Sequence, residues 1–381
     1  MNDVIKNKKI MIITQVNPYT PVGGVTVVLR NLFSSFNKNS YCFAYLGNFK
    51  MKPNRKYDSY QDLFRLIPNF HVIQVLGYFF PIIKYNYAVK KAVKYVEKEK
   101  PQCIIGLYPT IASLDVSVRV AEITGIRYFP YLHDTVVEGL AHSQFSEKAL
   151  NVQKKVFKIA HKIITMSEGM SNYYFQKYNL KTFPLEHTYP EKVSEYPNFK
   201  RNEKAFWGGE VYSINENSFE RVQIALRELN TILTITSLSP LKVRNTSNVN
   251  KTFFPKRTEY INAVNCHGIL ILAINWPDES KVHEAELSTI FPTKTVEYLA
   301  SGGPILVHCP KHYFLARFFK KHKCGTVVTE RNGDELKKAI IKIKANGEEI
   351  KQMQLNALKT MEIFSLNRIQ KKLYDTLTTN N

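Results

Sequence analysis

Residues that could bind an anion and a ligand rich in hydroxyl groups lie close together in residues 284–310. Lys294 and Glu297 stand three positions apart at the start of a predicted helix, just after Pro292. Pro292 suits the first helical position, because the N–H that it lacks would be unpaired there. With Thr293 in the same turn, the helix N-terminus and the Lys294 ammonium favour phosphate, and the Glu297 carboxylate could accept hydrogen bonds from sugar hydroxyls. A Lys294–Glu297 surface ion pair explains the same spacing without any ligand.

The elements around this helix predict where its N-terminus lies. Residues 293–300 carry apolar side chains at helical spacing, and Gly302 and Gly303 follow as a left-handed stop. The apolar runs 268–274 and 305–307 are typical of short buried parallel strands. Because ligands of open α/β sheets bind beyond the carboxyl ends of such strands, we expect the helix N-terminus to lie in a ligand crevice.

Two places in the first half of the chain have a similar setting. Gly23 and Gly24 separate a predicted strand at 9–13 from the next helix, where glycine lets a ligand approach the backbone closely. A plain turn fits these glycines equally well. His133 follows the predicted strand 127–132, where an imidazole could donate a hydrogen bond or act as a general acid or base. A histidine that only caps the next turn is the alternative.

Strands and helices alternate along both halves of the chain, which predicts α/β architecture with doubly wound parallel sheets. The 381 residues exceed one ordinary core, so we expect two domains. Residues 1–190 are predicted to form the first domain and 205–350 the second, joined by the polar linker 191–204 with residues 351–381 as C-terminal helices.

The net charge of +21, from 53 Lys and Arg against 32 Asp and Glu, limits the choice of partners. The basic residues are spread along the chain and form no tail of the kind that binds nucleic acid. Phosphorylated substrates or an anionic membrane surface are therefore expected, and nucleic acid is not. The lysines of the predicted helix 81–98 suit contact with anionic lipid, although an ordinary amphipathic helix that covers the sheet explains its apolar residues.

The cysteines and the N-terminal residues predict a cytoplasmic protein. The five cysteines are far apart, and no pair has the spacing of a zinc or redox site. Cys103 and Cys309 adjoin strand-like runs and are expected to be buried thiols. The apolar run near the N-terminus has only four residues, too few for a signal peptide, and no segment is predicted to span a membrane.

Six stretches of the chain, in order, resemble the GT-B glycosyltransferases of the family 4 kind. In the first half they are PVGGVTVVLRNL (21–32), YLHD (131–134) and HKIITMSEGMSNYY (161–174). In the second half they are FWGGEVYSINENSF (206–219), FPTKTVEYLASGGPIL (291–306) and NALKTMEIFSL (356–366). That family builds bacterial capsule, O-antigen and other cell-surface polysaccharides, and the resemblance covers nearly the whole chain.

The resemblance implies two Rossmann-like domains that face a central cleft. The N-terminal domain would bind the acceptor, the C-terminal domain the nucleotide-sugar donor, and the last helices would pack back on the first domain. Glu297 matches the residue that binds the donor ribose, and Lys294 and Thr293 would flank the nucleotide or its diphosphate. Gly208 and Gly209, after the first strand of the second domain, belong to the same donor site.

The resemblance also assigns the candidates of the first half. Gly23 and Gly24 match the loop near the donor diphosphate and the acceptor. His133 matches the histidine that contacts the transferred sugar, and it is the candidate catalytic residue.

Two departures from the family pattern concern the donor sugar and the diphosphate. Many relatives have a second glutamate eight residues before the first, where this chain has Thr289, although a subgroup with an FPxK-type stretch also lacks it. The basic pair that relatives place on the diphosphate is not plainly matched. Lys242, Arg244, Lys256 and Arg257 are the candidates, and the sequence does not choose among them.

The function implied by the resemblance is transfer of a sugar from a UDP- or GDP-type donor to a lipid-linked saccharide, with retention of anomeric configuration. Helix N-termini and basic side chains can stabilise the leaving diphosphate, so neither a metal nor a further cofactor is expected. The expected location is the cytoplasmic face of the inner membrane, as a peripheral protein. The alternatives are a GT-B sugar-nucleotide epimerase or hydrolase that needs no acceptor, and a non-catalytic polyanion-binding protein.

Overall fold

Two compact units make up the chain in a computed structural model that describes residues 9–20, 24–47, 63–67, 81–141, 143–237, 240 and 246–379. The first unit comprises residues 1–186 and 369–381, and the second comprises residues 187–368. Each unit has buried apolar clusters of its own.

The described strands of the first unit form a seven-stranded parallel sheet in the order β3-β2-β1-β4-β5-β6-β7. These strands are β1 (Ile10–Thr14), β2 (Tyr41–Tyr45), β3 (Leu63–Arg65), β4 (Cys103–Tyr108), β5 (Arg127–Leu132), β6 (Ile164–Thr165) and β7 (Phe183–Pro184). The helices are α1 (Gly24–Phe33), α2 (Pro81–Glu99), α3 (Ile111–Thr124), α4 (Ser146–Ile159) and α5 (Glu168–Tyr178). A short 3-10 turn, Glu138–Leu140, follows β5.

The described strands of the second unit form a six-stranded parallel sheet in the order β10-β9-β8-β11-β12-β13. These strands are β8 (Asn202–Gly208), β9 (Leu233–Thr236), β10 (Val249–Lys251), β11 (His267–Ala273), β12 (Ile305–His308) and β13 (Thr326–Val328). The helices are α6 (Glu216–Glu228), α7 (Arg257–Cys266), α8 (Glu284–Thr289), α9 (Lys294–Ser301), α10 (Phe314–His322), α11 (Gly333–Ala345) and α12 (Glu348–Thr360). The last helix, α13 (Leu366–Thr378), begins in the second unit and continues into the first.

Both sheets are wound in the same way, with the strand order reversing beside the first strand of each unit. The reversal lies between β1 and β4 in one unit and between β8 and β11 in the other. Ligands of doubly wound sheets bind at this switch point, outside the carboxyl ends of the strands. The predicted α/β class with two doubly wound parallel sheets is confirmed.

The central strand of the second unit shows why these sheets form. β11 is a nearly continuous apolar run, as expected for a parallel strand covered on both faces. Leu270 and Leu272 pack into one buried cluster, and Ile269 and Ile271 pack into the other. Since side chains alternate between the two faces of a strand, the sheet separates these two clusters.

The domain boundaries differ from those predicted. The first division of the chain falls between Glu186 and His187, and β8 already begins at Asn202, inside the predicted linker. Residues 351–368, predicted to pack on the first domain, belong instead to the second unit. The reason is that the buried side chains Ala357 and Phe364 join a core cluster of that unit.

The stretch around α9 differs from its prediction at two points. Residues 284–289 form helix α8, which was not predicted from the sequence. α9 begins at Lys294 with Thr293 as its N-cap, so Pro292 lies before the helix and not in its first turn. The stop is as predicted, because Gly302 is the C-cap with φ +59°.

Two further sequence predictions concern burial and membrane spanning. Cys103 and Cys309 are buried free thiols, as expected. No helix in the described part of the chain combines the length and apolar character that a membrane crossing needs.

Candidate functional site

β8 ends at Gly208, and Gly209 follows it, at the switch point of the second unit. The Gly208 N–H donates to the Tyr298 hydroxyl at 2.8 Å. A Cβ atom on Gly208 would lie 2.4 Å from the hydroxyl of Tyr260 and 3.2 Å from that of Tyr298, so only glycine allows both phenols this close. Gly209 has φ +101°, and its N–H donates to Thr236 Oγ1 at 2.7 Å.

The first turn of α9 places Lys294 against the residue that precedes these glycines. The Lys294 Nζ lies 3.4 Å from the centroid of the Trp207 ring, and Trp207 itself is fully buried. Attraction between an ammonium and an indole face favours the contact. Burial nevertheless lowers the pKa of the Lys294 amine to about 7, and the neighbouring Glu297 opposes that shift. An anion bound at this helix N-terminus would favour the charged form of the amine.

One turn further along α9, the Glu297 carboxylate is held by two side chains of α7. Arg257 Nη1 forms an ion pair with one carboxylate oxygen of Glu297, and the Tyr260 hydroxyl donates to the other oxygen at 2.8 Å. The Glu297 side chain is 13% exposed. A carboxylate has about four lone-pair sites, so the bonds from Arg257 and Tyr260 do not use its full capacity to accept hydrogen bonds.

Arg257 connects this carboxylate to the segment that opens the second unit. Its Nε donates to Glu191 at 3.1 Å. Although burial works against the charge, Glu297 and Glu191 together raise the pKa of Arg257. Burial, reinforced by Glu297, likewise raises the pKa of Tyr260, so the phenol keeps its proton and remains a hydrogen-bond donor.

The α9 cluster, defined here as Trp207, Arg257, Tyr260, Lys294, Glu297 and Tyr298, combines two kinds of recognition. The helix N-terminus with Lys294 suits an anion such as a diphosphate. The Glu297 carboxylate, held in place by Tyr260 and Arg257, suits paired hydroxyls such as those of a ribose. A nucleoside diphosphate carries both groups.

Other predicted residues of the second unit lie apart from this cluster or outside the described residues. Lys256 is largely exposed and lies 3.9 Å from Glu259, so its side chain is directed toward solvent. Thr289, which stands where many relatives have glutamate, is buried and donates its hydroxyl to the Ala285 carbonyl at 2.9 Å within α8. Lys242 and Arg244 lie outside the described residues.

In the first unit, the structure places His133 at the carboxyl end of β5, as predicted. Its backbone N–H donates to the carbonyl of Tyr108, the last residue of β4, at 3.3 Å. Its half-buried ring packs edge-on to Tyr131, with 4.5 Å between the ring centroids. Gly24 is the exposed first residue of α1, and Gly23 lies outside the described residues. The site roles of these residues stay predictions.

No group of three or more histidine, cysteine, aspartate or glutamate side chains in the described ranges could hold a metal ion. In the α9 cluster, Glu297 is the single carboxylate. The cluster is therefore described by its hydrogen bonds and its charges.

Sequence reasoning did not identify three members of this cluster. Trp207 and Tyr298 are buried aromatic residues that look like ordinary core side chains in the sequence. Tyr260 follows Lys256 and Arg257, which were singled out in the sequence for their charge, and no pattern distinguished the tyrosine itself. The position of Tyr298, directly after Glu297, was the only available signal, because contacts between distant elements leave no local pattern.

Comparison with known proteins identifies the fold. No protein-family profile and no curated protein matches the sequence. The structure of Anabaena HepE with UDP-glucose superposes with a TM-score of 0.69 at 14% identity, covering 97% of this chain and 99% of that one. The chain has the GT-B fold. The expected resemblance to GT-B glycosyltransferases is thereby confirmed at the level of the fold.

Other GT-B structures show that this fold serves more than one activity. WaaG, a glycosyltransferase involved in lipopolysaccharide biosynthesis, has a TM-score of 0.64 at 14% identity and covers 97% of this chain and 99% of its own. A putative UDP-N-acetylglucosamine 2-epimerase from Listeria monocytogenes has a TM-score of 0.56 at 10% identity, with 98% of both chains covered. Transferase and epimerase must therefore be distinguished by their sites.

Proposed function

We propose that this protein is a glycosyltransferase of the GT-B type, related to family 4, that moves a sugar from a UDP- or GDP-type donor to a lipid-linked saccharide. The proposed setting is the synthesis of a bacterial cell-surface polysaccharide such as capsule or O-antigen. The reaction retains the anomeric configuration and needs neither a metal ion nor a cofactor beyond the nucleotide sugar. The proposed hexosyl-type transfer proceeds at the cytoplasmic face of the inner membrane.

The α9 cluster is the observation that carries this proposal. It places a helix N-terminus and Lys294 beside a carboxylate that Tyr260 and Arg257 hold in position. A nucleoside diphosphate offers a diphosphate to the first group and ribose hydroxyls to the second. The HepE structure, which shares the fold, contains UDP-glucose, and this supports a nucleotide-sugar donor.

The chemistry of transfer follows from the charge that develops on the leaving group. Breaking the bond between sugar and phosphate leaves a diphosphate whose negative charge must be stabilised. The N–H groups at the start of α9 and the Lys294 ammonium supply that stabilisation, with Thr293 beside them and Gly208 and Gly209 allowing close approach. In the first unit, Gly23 and Gly24 are the proposed contacts of the diphosphate and the acceptor, and His133 is the proposed contact of the transferred sugar.

A membrane-bound acceptor requires an enzyme that reaches the membrane surface, and α2 has a face suited to this. Ile82 and Ile83 are exposed, at 75% and 54%, at the N-terminal end of this helix. Tyr87, Lys90 and Lys94 are also exposed. Apolar side chains at the start of a basic helix suit the interface of an anionic membrane. We propose that α2 contacts the inner-membrane surface.

The donor site is tested by thermal unfolding with UDP, GDP and their sugar derivatives, without added metal. A ligand at about 100 times its Kd adds about 2.7 kcal/mol of stability, which shifts Tm by several degrees. We expect one nucleotide to shift Tm and Glu297→Ala to weaken its binding about ten- to hundredfold, since hydrogen bonds to a carboxylate are lost. Glu259→Ala, which removes an exposed carboxylate of α7, is the control. Equal affinities of wild type and Glu297→Ala would contradict the site assignment.

Product analysis separates transfer from the alternatives. With donor alone, an epimerase or hydrolase releases an altered or free sugar, whereas a transferase accumulates product only when a lipid-linked saccharide is added. The anomeric configuration of that product, read by NMR, tests retention, and an unchanged rate in EDTA tests metal independence. A polyanion-binding protein would bind any nucleic acid with steep salt dependence and would ignore Glu297.

A further inference from the structure

Glu138, a charged side chain that is 2% exposed, lies on the segment that follows β5 and carries His133. One of its carboxylate oxygens accepts hydrogen bonds from Lys177 Nζ and from the Tyr178 hydroxyl, each at 2.6 Å. Lys177 and Tyr178 belong to the last turn of α5. The carboxylate therefore ties the segment after β5 to a neighbouring helix.

The partners of Glu138 are themselves fixed. The Lys177 ammonium donates to the Tyr173 hydroxyl at 2.9 Å and lies 5.5 and 5.3 Å from the centroids of the Tyr173 and Tyr178 rings. Burial would discourage the charge on Glu138, yet the bonds from Lys177 and Tyr178 keep the pKa of its carboxyl below the usual value. The group is thus a buried carboxylate inside a network that α5 supplies.

A second contact holds the same segment closer to His133. The Val136 N–H donates to the hydroxyl of Tyr174, a fully buried residue of α5, at 3.3 Å. His133 is attached on its other side, where its N–H reaches the Tyr108 carbonyl of β4. The segment is therefore connected to α5 through Val136 and Glu138 and to the sheet through the backbone of His133.

The ion pair itself is a weak source of stability, because the Glu138 carboxylate is desolvated while the Lys177 side chain remains 44% exposed to water. A buried carboxylate that accepts hydrogen bonds from a neighbouring helix does, however, hold its own backbone in one defined position. Here that backbone lies at the carboxyl edge of the sheet, where a ligand of this fold binds.

We propose that Glu138 is a positioning residue that sets the place of His133 for sugar transfer by anchoring residues 133–140 to α5. This inference rests on the proposed function of His133. Glu138 does not contact the substrate in this proposal, and it affects turnover only through the position of His133.

The first test measures the anchoring itself by amide hydrogen exchange on the full chain. Glu138→Gln keeps the shape of the side chain but removes the charge that holds Lys177. We expect exchange across residues 133–140 to rise at least tenfold, while the strands of the second unit keep their protection. Tyr178→Phe, which removes one hydroxyl and no charge, should have a smaller effect in the same direction. Unchanged exchange across 133–140 in Glu138→Gln would overturn the proposal.

Glu99→Gln is the matched control. Glu99 is a partly buried carboxylate of the same unit, with a 13% exposed side chain, and it pairs with Lys9. It ends α2 and lies before β4, away from the carboxyl edge of the sheet. Loss of its charge should leave residues 133–140 protected, and equal loosening in both variants would overturn the specific role of Glu138.

The second test links the anchor to catalysis by a cycle of Glu138→Gln, His133→Ala and the double variant. Turnover is followed as nucleotide released from UDP-glucose, or from the sugar nucleotide that shifts Tm most, in the presence of a lipid-linked saccharide as acceptor and with release in its absence subtracted. We expect Glu138→Gln to lower kcat about tenfold with KM for the donor nearly unchanged, because the contacts to the nucleotide, which supply most of the donor's binding, are proposed to lie in the second unit. Glu138→Asp, which keeps the charge, should recover part of the rate.

The double variant decides between the possible outcomes. If Glu138 acts through His133, Glu138→Gln has no further effect once His133 is alanine. An equal loss in both backgrounds would overturn the inference and leave the proposed function of His133 intact. Full turnover in His133→Ala would overturn the proposed role of His133, and with it the effect of Glu138 on catalysis. Hydrogen exchange would then report separately whether Glu138 anchors the segment.

Discussion

Lys294 is the residue whose charge is most sensitive to its surroundings in the α9 cluster. In the free protein its amine has a pKa of about 7, lowered by burial against Trp207. A diphosphate at the N-terminus of α9 would favour the ammonium, so ligand binding raises this pKa toward its usual value. Above pH 7 the free protein has lost a proton that the complex retains.

This coupling predicts proton uptake on nucleotide binding. At pH 8 we expect UDP, or the nucleotide that the panel selects, to bind with uptake of close to one proton. The affinity should fall by about tenfold per pH unit above pH 7. Calorimetry in buffers of different ionisation enthalpy measures the uptake. Lys294→Met should abolish it, and Lys338→Met, at an exposed lysine of α11, should not. Uptake that persists in Lys294→Met would contradict this account.

Gly208 gives a second prediction for single residues. Alanine there would place its Cβ 2.4 Å from the Tyr260 hydroxyl, which also donates to Glu297. We expect Gly208→Ala to lower the free energy of unfolding by about 1–3 kcal/mol. Adding Tyr260→Phe removes the clashing oxygen and should restore most of the loss. Urea denaturation measures both variants, and a Gly208→Ala protein as stable as wild type would refute the close packing.

Some residues of the candidate site could be predicted from the sequence, and others could not. Lys294 and Glu297 were found because a helix start with this spacing is a local pattern. Arg257 was one of four basic candidates, and only the packing of α7 against α9 pairs it with Glu297. Tyr260 carried no signal at all, because its role depends on Gly208 and Glu297, which are distant in the chain.

Whole elements were predicted best where both ends carry a signal. α3 has such signals at both ends, because the Thr110 side chain accepts from the Ser113 N–H at its start and Gly125, with φ +68°, ends it. α8 was missed, since its six residues are too few for a helical period to appear. The first unit ends at Glu186 and not at residue 190 as predicted. The polar segment that follows Glu186 continues well into the second unit, so its composition does not mark the point of division.

Arg201 joins two helices of the second unit at their C-terminal ends. Its guanidinium donates to the carbonyls of Val264 and His267, at 2.9 and 3.2 Å, and to that of Ser301. These carbonyls end α7 and α9, where the helix dipole favours a cation.

We expect Arg201→Met to lower the free energy of unfolding by about 2–4 kcal/mol, because partly buried carbonyl groups lose a charged donor. Arg201→Lys should recover part of this loss. Chemical denaturation measures the change, with Arg317→Met as the control, since the exposed Arg317 side chain donates to the carbonyl of His312 five residues earlier. A loss below 0.5 kcal/mol, roughly what an ordinary surface substitution gives, would show that water replaces the guanidinium.

The exposed face of α2 makes the membrane proposal testable. Replacing Lys90 and Lys94 by glutamine should weaken binding to vesicles with anionic lipid about thirtyfold, since each basic residue contributes about 1 kcal/mol near such a surface. Replacing Ile82 and Ile83 by serine should weaken it further. Cosedimentation with phosphatidylglycerol vesicles measures this, and Ile341→Ser, at an exposed residue of α11, is the control. Unchanged vesicle binding after all four replacements would show that α2 does not contact the membrane.

For the molecule as a whole, the most informative feature is the route of α13. Ile369, Leu373 and Leu377 are buried in the core of the first unit. The Gln370 side chain donates to the Leu32 carbonyl at the end of α1, at 2.8 Å. Residues far apart in the chain thus complete one core.

A chain that stops after Arg368 should therefore be damaged in one unit only. We expect its first unit to be digested rapidly by protease, because three buried apolar side chains are missing, while residues 187–368 stay resistant. Limited proteolysis with mass spectrometry reads both units in one experiment. Equal resistance of the two units would mean that α13 adds little to the first core.

The same route has a consequence for protein synthesis. Residues 187–368 are contiguous, so the second unit has all of its sequence before the ribosome reaches residue 369. The first unit is begun earlier but is finished only when residues 369–379 emerge. Domains usually fold in the order in which they are made. In this chain we expect the order to be inverted, with the first unit incompletely packed until residues 369–379 have been synthesised.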